Sequence, residues 1–209
     1  MKIDPASFKA PFISPEQAWK EADRIRDSYW PSGQVPVEVE KILWPLTLRL
    51  EPIPFLKESG DVDALLRSDL SAIMVDQHEY MNDRMQNRVR FSIAHELGHF
   101  ILHKDIYREI AYTSVEEWID FVQTVPEHQY SFIEFHAYEF AGRLLVPVER
   151  LKKELRSAII EADKAGFTGW DEFPDPAKEY VANRLSRVFG VSGQVIEKRF
   201  DREKLWPPK

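Results

Sequence analysis

The stretch Arg90–His103 constrains the fold more than any other part of the chain, because on a helix it is apolar on almost every side. With about 100° between successive residues, its apolar side chains surround the helix axis: Phe91, Ile93, Ala94, Leu97, Phe100, Ile101 and Leu102. A helix of this kind belongs in the core of a protein. The stretch also carries His95, Glu96 and His99, and ionisable side chains in a core need partners.

These three residues form the pattern His-Glu-x-x-His. On a helix His95 and His99 lie about 40° apart and one turn above one another, so both imidazoles can bind one metal ion. Glu96 points about 100° away from His95, within reach of a water molecule on that metal. The spacing alone also fits a pair of surface histidines, but the apolar surroundings favour the metal-binding interpretation.

Composition limits the kind of site that the chain can build. The 209 residues are 44% hydrophobic, which is enough for one well-packed domain. There is no cysteine, so a metal must be held by histidine and carboxylate groups. The net charge of −7 argues against general attraction to nucleic acid or anionic membranes. Because the sequence shows neither a signal peptide nor an apolar run of about 18 residues, we expect a soluble cytoplasmic protein.

The periodicity of the chain predicts a mostly helical, single-domain α+β fold with a small sheet beside the buried helix. Two capping boxes, at Ser14–Gln17 and Ser114–Glu117, predict helix starts. The other predicted helices cover about 36–43, the central segment from between Asp83 and Arg88, 130–146, 151–166, 176–189 and 193–203. Strands are predicted over 46–50, which Pro52 and Pro54 close, and over 72–75, whereas 59–70 is ambiguous.

The Gly- and Pro-containing loop 167–176 is the predicted internal boundary. We expect a metal-binding domain over 1–166 and a helical extension over 167–209 that packs on it or recognises a substrate.

A catalytic zinc site takes three protein ligands and leaves a position for water, so the two histidines need a third partner. The other histidines are His78, His103, His128 and His136. On the 130–146 helix, Glu134 lies within the apolar arc and Glu139 lies opposite. A core-facing carboxylate needs a partner, and a metal is one. The alternative for Glu134 is a buried ion pair with an arginine: Arg88, Arg90 or Arg143.

Four other residues of the two helices are predicted to lie near the site without binding the metal. His103 falls near the Glu96 side of its helix and is expected to be structural or to contact a metal ligand rather than to be one. His136 lies off the apolar arc and is expected to be partly exposed. Ala137 and Ala141 are small residues on the stripe of Glu134, so the two helices are expected to approach closely.

The predicted chemistry is amide hydrolysis. Bound zinc lowers the pKa of a water molecule towards about 7, and Glu96 takes its proton and passes it to the leaving amine. A donor for the oxyanion is also needed. Tyr138, within about 40° of Glu134 on its helix, is the first candidate for this donor. Its rivals are Tyr107, Tyr112 and Tyr130.

Together, the two helices resemble the ImmA/IrrE family of bacterial metallopeptidases. Arg90–His103 matches the family pattern Arg-Phe-[Ser/Thr]-x-Ala-His-Glu-x-Gly-His with a further histidine four positions later. Glu134–Pro147 matches Glu-x-x-Ala-Asn-x-Phe-Ala-Ala-x-Leu-Leu-Met-Pro, with three departures: Tyr138 for Asn, Gly142 for Ala and Val146 for Met.

The resemblance implies a zincin-like fold and a zinc ion bound by His95, His99 and Glu134, with Glu96 catalytic. It also implies a cytoplasmic endopeptidase whose protein substrate is a helix-turn-helix regulator or an antitoxin.

Two alternatives come from other classes of function. One is a non-catalytic or vestigial metal-binding component of a toxin–antitoxin or regulatory system, which acts through protein binding. The other is DNA binding through the last two helices around Gly190–Ser192. Acidic residues are mixed with basic ones on the last helix, so it has no basic face and DNA binding is disfavoured. These residues are Glu197, Lys198, Arg199, Asp201, Arg202 and Glu203.

Overall fold

A computed structural model describes residues 4–166 and 174–207 of the chain. Within these ranges the strands are β1 (Arg49–Ile53), β2 (Ala64–Leu66) and β3 (Ala72–Asp76). The α-helices are α1 (Pro15–Tyr29), α2 (Val39–Leu43), α3 (Leu56–Gly60), α4 (Gln77–Tyr80), α5 (Gln86–Leu102), α6 (Lys104–Ile110), α7 (Val115–Thr124), α8 (Glu127–Leu145), α9 (Val148–Lys164), α10 (Pro174–Phe189) and α11 (Gly193–Arg202). The predicted single α+β domain, mostly helical with a small sheet, is confirmed.

The sheet has the order β1-β3-β2, with β1 parallel and β2 antiparallel to β3. The predicted bounds of β1, residues 46–50, were wrong. Trp44–Leu46 form a 3-10 turn, Thr47 has a φ of 55°, and the strand begins at Arg49. Pro52 lies inside β1 instead of closing it, which an edge strand tolerates because one side of its backbone needs no ladder bonds. The ambiguous segment contains β2, whose three residues are too few to show an alternating pattern.

Helix α5 runs through the core between the sheet and α8, as its apolar surface predicts. Helix α5 approaches α8 closely at Gly98, since a Cβ atom there would lie 3.2 Å from the Cα of Ala137. This confirms the expected close packing at Ala137. The predicted capping box at Ser14–Gln17 is present. Ser114 caps α7 by accepting from Glu117 N–H, but the Glu117 side chain accepts from Thr113 N–H, so the second predicted capping box is incomplete.

Helix α8 is also covered on the side opposite its apolar arc, where Glu139 lies. Glu139 is only 8% exposed, and its carboxylate accepts hydrogen bonds from Trp19 Nε1 of α1 at 2.8 Å and from Arg202 Nε of α11 at 2.7 Å. The helical arc indicated one buried face, but α8 packs against α1 and α11 as well as α5.

Helices α10 and α11 pack together, and the turn between them is tied to the start of α5. Gly190 has a φ of 62°, a conformation that favours glycine. Arg90 Nη1 donates to its carbonyl oxygen at 2.7 Å. Most of the predicted boundary loop, residues 167–173, lies outside the described residues. None of the helices within the described ranges has the length and apolar character needed to cross a membrane.

Candidate metal centre

Helices α5 and α8 bring the three predicted ligands together. The Nε2 atoms of His95 and His99 lie 3.0 Å apart. The carboxylate of Glu134 reaches both rings, with Oε2 3.2 Å from His95 Nε2 and Oε1 3.3 Å from His99 Nε2. Both histidines are buried and Glu134 is partly buried, so the three groups face one another in a protected setting.

The spacing and the chemistry of these groups fit a zinc ion. Three ligands on a tetrahedral zinc, at bond lengths of about 2.0 to 2.2 Å, lie about 3.3 Å from one another. The observed separations of 3.0, 3.2 and 3.3 Å are close to that value. Two imidazoles and a carboxylate are also a donor set that divalent zinc takes in hydrolytic enzymes. The three residues are therefore able to hold a metal of this kind.

The pKa shifts favour the charged form of Glu134, which a metal ligand must have. Burial opposes that form, but hydrogen bonds from His95 and His99 outweigh burial and lower the pKa of Glu134. Burial would also lower the pKa of His95, yet the hydrogen bond to Glu134 raises it.

The arginines offered as alternative partners of Glu134 are engaged elsewhere. Arg88 pairs with Asp63, Arg90 bonds to the Gly190 carbonyl, and Arg143 pairs with Asp23 and Glu203. The buried ion pair with arginine is thus not found for Glu134, whose carboxylate faces the rings of His95 and His99 instead.

Glu96 lies beside the three ligands and is held by the sheet. Its Oε2 atom accepts a hydrogen bond of 2.8 Å from the backbone N–H of Leu66 in β2. The side chain is only 7% exposed, and burial raises the pKa of its carboxyl group. A strand that the sequence did not predict therefore positions a residue that the sequence singled out.

A cavity of about 170 Å³, which we call the metal-site cavity, opens in front of these groups. Helices α5 and α8 and strand β2 line it, and His95, Glu96, His99 and Glu134 all face it. The two histidines and Glu134 therefore have open space beside them, as a site that admits water requires.

Three of the four candidate tyrosines line this cavity, and they differ in their surroundings. Tyr138 is 50% exposed, with its ring centroid 4.7 Å from that of His95. The hydroxyl of Tyr130 hydrogen-bonds to Glu134. Tyr107 is fully buried, and its hydroxyl finds no partner among the described residues. Tyr112 is bonded instead to the carbonyl oxygen of Leu66.

A chain of buried imidazoles extends from His99 to the amino-terminal segment. His99 Nδ1 lies 3.1 Å from His103 Nδ1, and His103 Nε2 lies 3.2 Å from His136 Nδ1. His136 in turn makes a backbone hydrogen bond with Ile13. The prediction that His136 is partly exposed was wrong, since it is 3% exposed beneath that segment.

The imidazoles of His103 and His136, the two rings farther from Glu134, are kept neutral. Burial lowers the pKa of His103 to about 2, and burial also lowers the pKa of His136. A neutral imidazole has one donor and one acceptor nitrogen, so the three rings can form a single chain of hydrogen bonds in which each donates to the next. When a metal replaces the hydrogen bond between His99 Nε2 and Glu134, donation from Nδ1 to His103 would leave Nε2 without a proton and able to bind the metal.

A buried helix with His-Glu-x-x-His, facing a glutamate of a second helix across an open cavity, defines the metallopeptidase class of proteins. Residues 80–201 match the family model Peptidase M78, described as the IrrE N-terminal-like domain. The chain therefore belongs to this family, the ImmA/IrrE metallopeptidases, and the resemblance seen in the sequence is confirmed. The matched range includes both motifs and most of α11. A comparison with curated proteins found no match.

Proposed function

We propose that this protein is a zinc-dependent endopeptidase that cleaves a partner protein, with a transcriptional regulator or antitoxin as the substrate. His95, His99 and Glu134 would hold the zinc, and Glu96 would move the proton. The observation that carries the proposal is the triangle of three ligand groups 3.0 to 3.3 Å apart, with Glu96 beside it in the same cavity.

Zinc bound by these residues supplies a Lewis acid that polarises a carbonyl group and lowers the pKa of water. Glu96 accepts the proton of the attacking water as its oxygen bonds to the carbonyl carbon. Glu96 then gives that proton to the nitrogen as the C–N bond breaks. The Leu66 N–H occupies Oε2, so Oε1 is the oxygen left for proton transfer. The raised pKa of Glu96 makes it a stronger base for this role.

Tyr138 and Tyr107 are the hydroxyl donors that we assign to the oxyanion. Tyr138 borders the cavity next to His95. The buried Tyr107 hydroxyl lacks a partner within the described ranges, and a buried donor without a partner is costly unless a ligand or water completes it. Tyr130 is less suited because its hydroxyl is bonded to Glu134.

The outer edge of β2 at Ala64 supports a polypeptide substrate. Asp63 C=O and Arg67 N–H form backbone hydrogen bonds with β3. In an antiparallel pair, alternate residues of a strand direct their N–H and C=O groups towards the partner strand. The backbone groups of Ala64 and Leu66 therefore point away from β3. The Leu66 N–H on this side reaches Glu96, and Ala64 lines the metal-site cavity. Glu96 and Tyr112 occupy the N–H and C=O of Leu66, so Ala64 offers the backbone groups with which an extended peptide can pair beside the zinc ligands.

The open cavity also argues against a purely structural metal. A structural zinc site fills its fourth position with a protein side chain, whereas a catalytic site keeps that position free for water or substrate. The 170 Å³ of open space beside the three ligands fits a catalytic site rather than a structural one.

Co-expression with candidate regulators tests the proposal. We expect the wild type to convert a helix-turn-helix regulator or antitoxin encoded beside its gene into two fragments. Glu96→Gln should bind zinc equally but leave the partner intact, and His99→Ala should lose zinc. Equal loss of the partner with wild type and Glu96→Gln would remove Glu96 from the mechanism. Absence of stoichiometric zinc in the purified wild type would contradict the site.

A further inference from the structure

The metal-site cavity is too small to hold an extended peptide. Its volume is about 170 Å³. A second cavity of about 1020 Å³ shares four wall residues with it: Asp63, Phe91, Ser92 and Tyr138. The larger cavity therefore continues directly from the site of the proposed cleavage.

Helices α5, α8 and α11 form the walls of this larger cavity, which we call the α11 cleft. Phe135 and Tyr138 lie about one turn apart on α8, and Lys198 and Arg202 lie about one turn apart on α11. The two pairs face each other, with Lys198 Nζ 5.6 Å from the Tyr138 ring centroid and Arg202 Cζ 5.3 Å from the Phe135 ring centroid. Aromatic rings and cations thus meet across the α11 cleft.

The α11 cleft carries an excess of positive charge. Five cationic and three anionic side chains line it, although the whole chain has a net charge of −7. The three anions are already paired: Asp63 with Arg88 at 2.5 Å, Glu139 with Arg202 at 2.7 Å, and Asp201 with Lys178 at 2.6 Å. Arg199 also pairs with a carboxylate, that of Glu203.

Lys198 and Arg84 are the cleft cations that form no ion pair with a carboxylate in residues 4–166 and 174–207. Lys198 is linked to the zinc ligands through the ring of Tyr138. Its contact ring, Tyr138, lies 4.7 Å from the His95 ring, so Lys198 Nζ is within about 10 Å of that ring. An extended chain covers this distance in about three residues at about 3.4 Å each.

Resting on the peptidase function above, we propose that the α11 cleft binds the substrate segment next to the scissile bond. In this proposal Lys198 recognises an acidic side chain within about three residues of that bond. The occupant is a polypeptide rather than DNA, because the cleft is continuous with the zinc site and its cations are interrupted by Asp63, Glu139 and Asp201. Tyr138 would contribute to both cavities, packing against the substrate chain as it passes from one to the other.

Cleavage of a randomised decapeptide pool, followed by mass spectrometry, tests the recognition. We expect Asp and Glu to be enriched about two- to fivefold at one position within three residues of the cut, the size of a partly screened ion pair. Lys198→Glu should replace this preference with one for Lys and Arg. Lys153→Glu, the same charge change on α9 outside the cleft, should leave it unaltered. Cleavage without charge preference, or a preference that Lys198→Glu does not change, would overturn the proposal.

Binding to the inactive Glu96→Gln variant separates this proposal from the proposed catalysis. Two fluorescein-labelled decapeptide pools are compared, one with a fixed Glu and the other with Gln at the same position. We expect two- to fivefold tighter binding of the Glu pool, and equal binding after a second change, Lys198→Gln.

Equal binding of both pools by Glu96→Gln, binding of neither, or displacement by a short DNA duplex in preference to peptide would overturn the cleft proposal. Selective binding of the Glu pool by a protein whose wild type cleaves nothing would instead contradict the proposed hydrolysis alone.

Discussion

Glu96 and Leu66 are joined by a hydrogen bond of 2.8 Å, through which an edge strand of three residues holds the carboxylate of the central helix. This hydrogen bond links the sheet to the proposed proton transfer, because it occupies Oε2 of Glu96 and leaves Oε1 free to accept the proton. The base is therefore oriented by backbone, which a substitution of the Leu66 side chain does not remove.

This relationship makes Glu96→Gln an informative variant. Its amide oxygen can still accept from Leu66 N–H, so we expect the fold and the zinc affinity to remain. Hydrolysis should fall by about 10² to 10⁴, because the amide cannot accept the proton. Isothermal titration with zinc and a fragment assay measure the two properties. Loss of zinc together with activity would mean that Glu96 acts on the metal site rather than on the proton.

The imidazole chain predicts an effect at a distance from the metal. His136→Phe removes the acceptor of His103 and breaks the link to Ile13, so His99 loses its fixed orientation. We expect zinc affinity to fall by about 10- to 100-fold, as when a partner of a metal-bound imidazole is removed. The ¹⁵N shifts of the His99 imidazole, which distinguish its tautomers, should change as well. His128→Phe, an exposed position on the same helix, is the matched control and should alter neither.

Two glycines in helices provide a matched pair for the packing of α5 on α8. In Gly98→Ala the new Cβ would lie 3.2 Å from Ala137 Cα and 3.1 Å from Phe140 Cδ1, so the helices must separate. We expect a loss of about 1 to 3 kcal/mol in the free energy of unfolding, together with weaker zinc binding. In Gly142→Ala the neighbour within 4 Å is Cδ of the Arg199 side chain at 3.3 Å, and no backbone atom is in the way, so stability should fall by less than in Gly98→Ala or rise. Urea unfolding of both variants checks this, and equal destabilisation would contradict it.

The sequence predicted the parts of the site that depend on local periodicity. The central helix could be predicted because its apolar surface and the spacing of His95 and His99 are properties of a single helix. Glu134 could be found because it lies on the apolar arc of α8. The close approach of Ala137 to Gly98 follows from small residues on facing stripes.

The errors have a common cause, which is packing between segments distant in sequence. A helical arc predicts one buried face, but α8 is also covered by α1, by α11 and by the segment around Ile13. Glu139 and His136 are therefore buried despite lying off the arc. Strand β2 has only three residues, and its pairing with β3 and with Glu96 gives no periodic pattern in the sequence.

Asp23 gives a prediction for the dependence of stability on pH. Burial opposes its charge, but hydrogen bonds from Arg143 and Arg26, with N–O distances of 2.6 Å, outweigh burial and lower the pKa of its carboxyl group below 3.8. A group whose pKa is lowered by folding stabilises the folded state above the unfolded pKa, and this contribution is lost as the pH falls through the folded pKa. The contribution of Asp23 should therefore be complete near neutral pH and decline below about pH 4.

Asp23→Asn should consequently lower the free energy of unfolding at pH 7 by about 1 to 3 kcal/mol, since hydrogen bonds to two guanidinium groups are weakened. The difference from the wild type should shrink as the pH is lowered from 4 to 2.5. Urea titrations of both proteins with chelator present keep zinc release out of the comparison. Asp105→Asn removes an exposed carboxylate, with 81% of its side chain accessible, and should change stability by less than about 0.5 kcal/mol. A difference for Asp23→Asn that stays constant down to pH 2.5 would show that packing, rather than the charge of Asp23, supports the contact between α1 and α8.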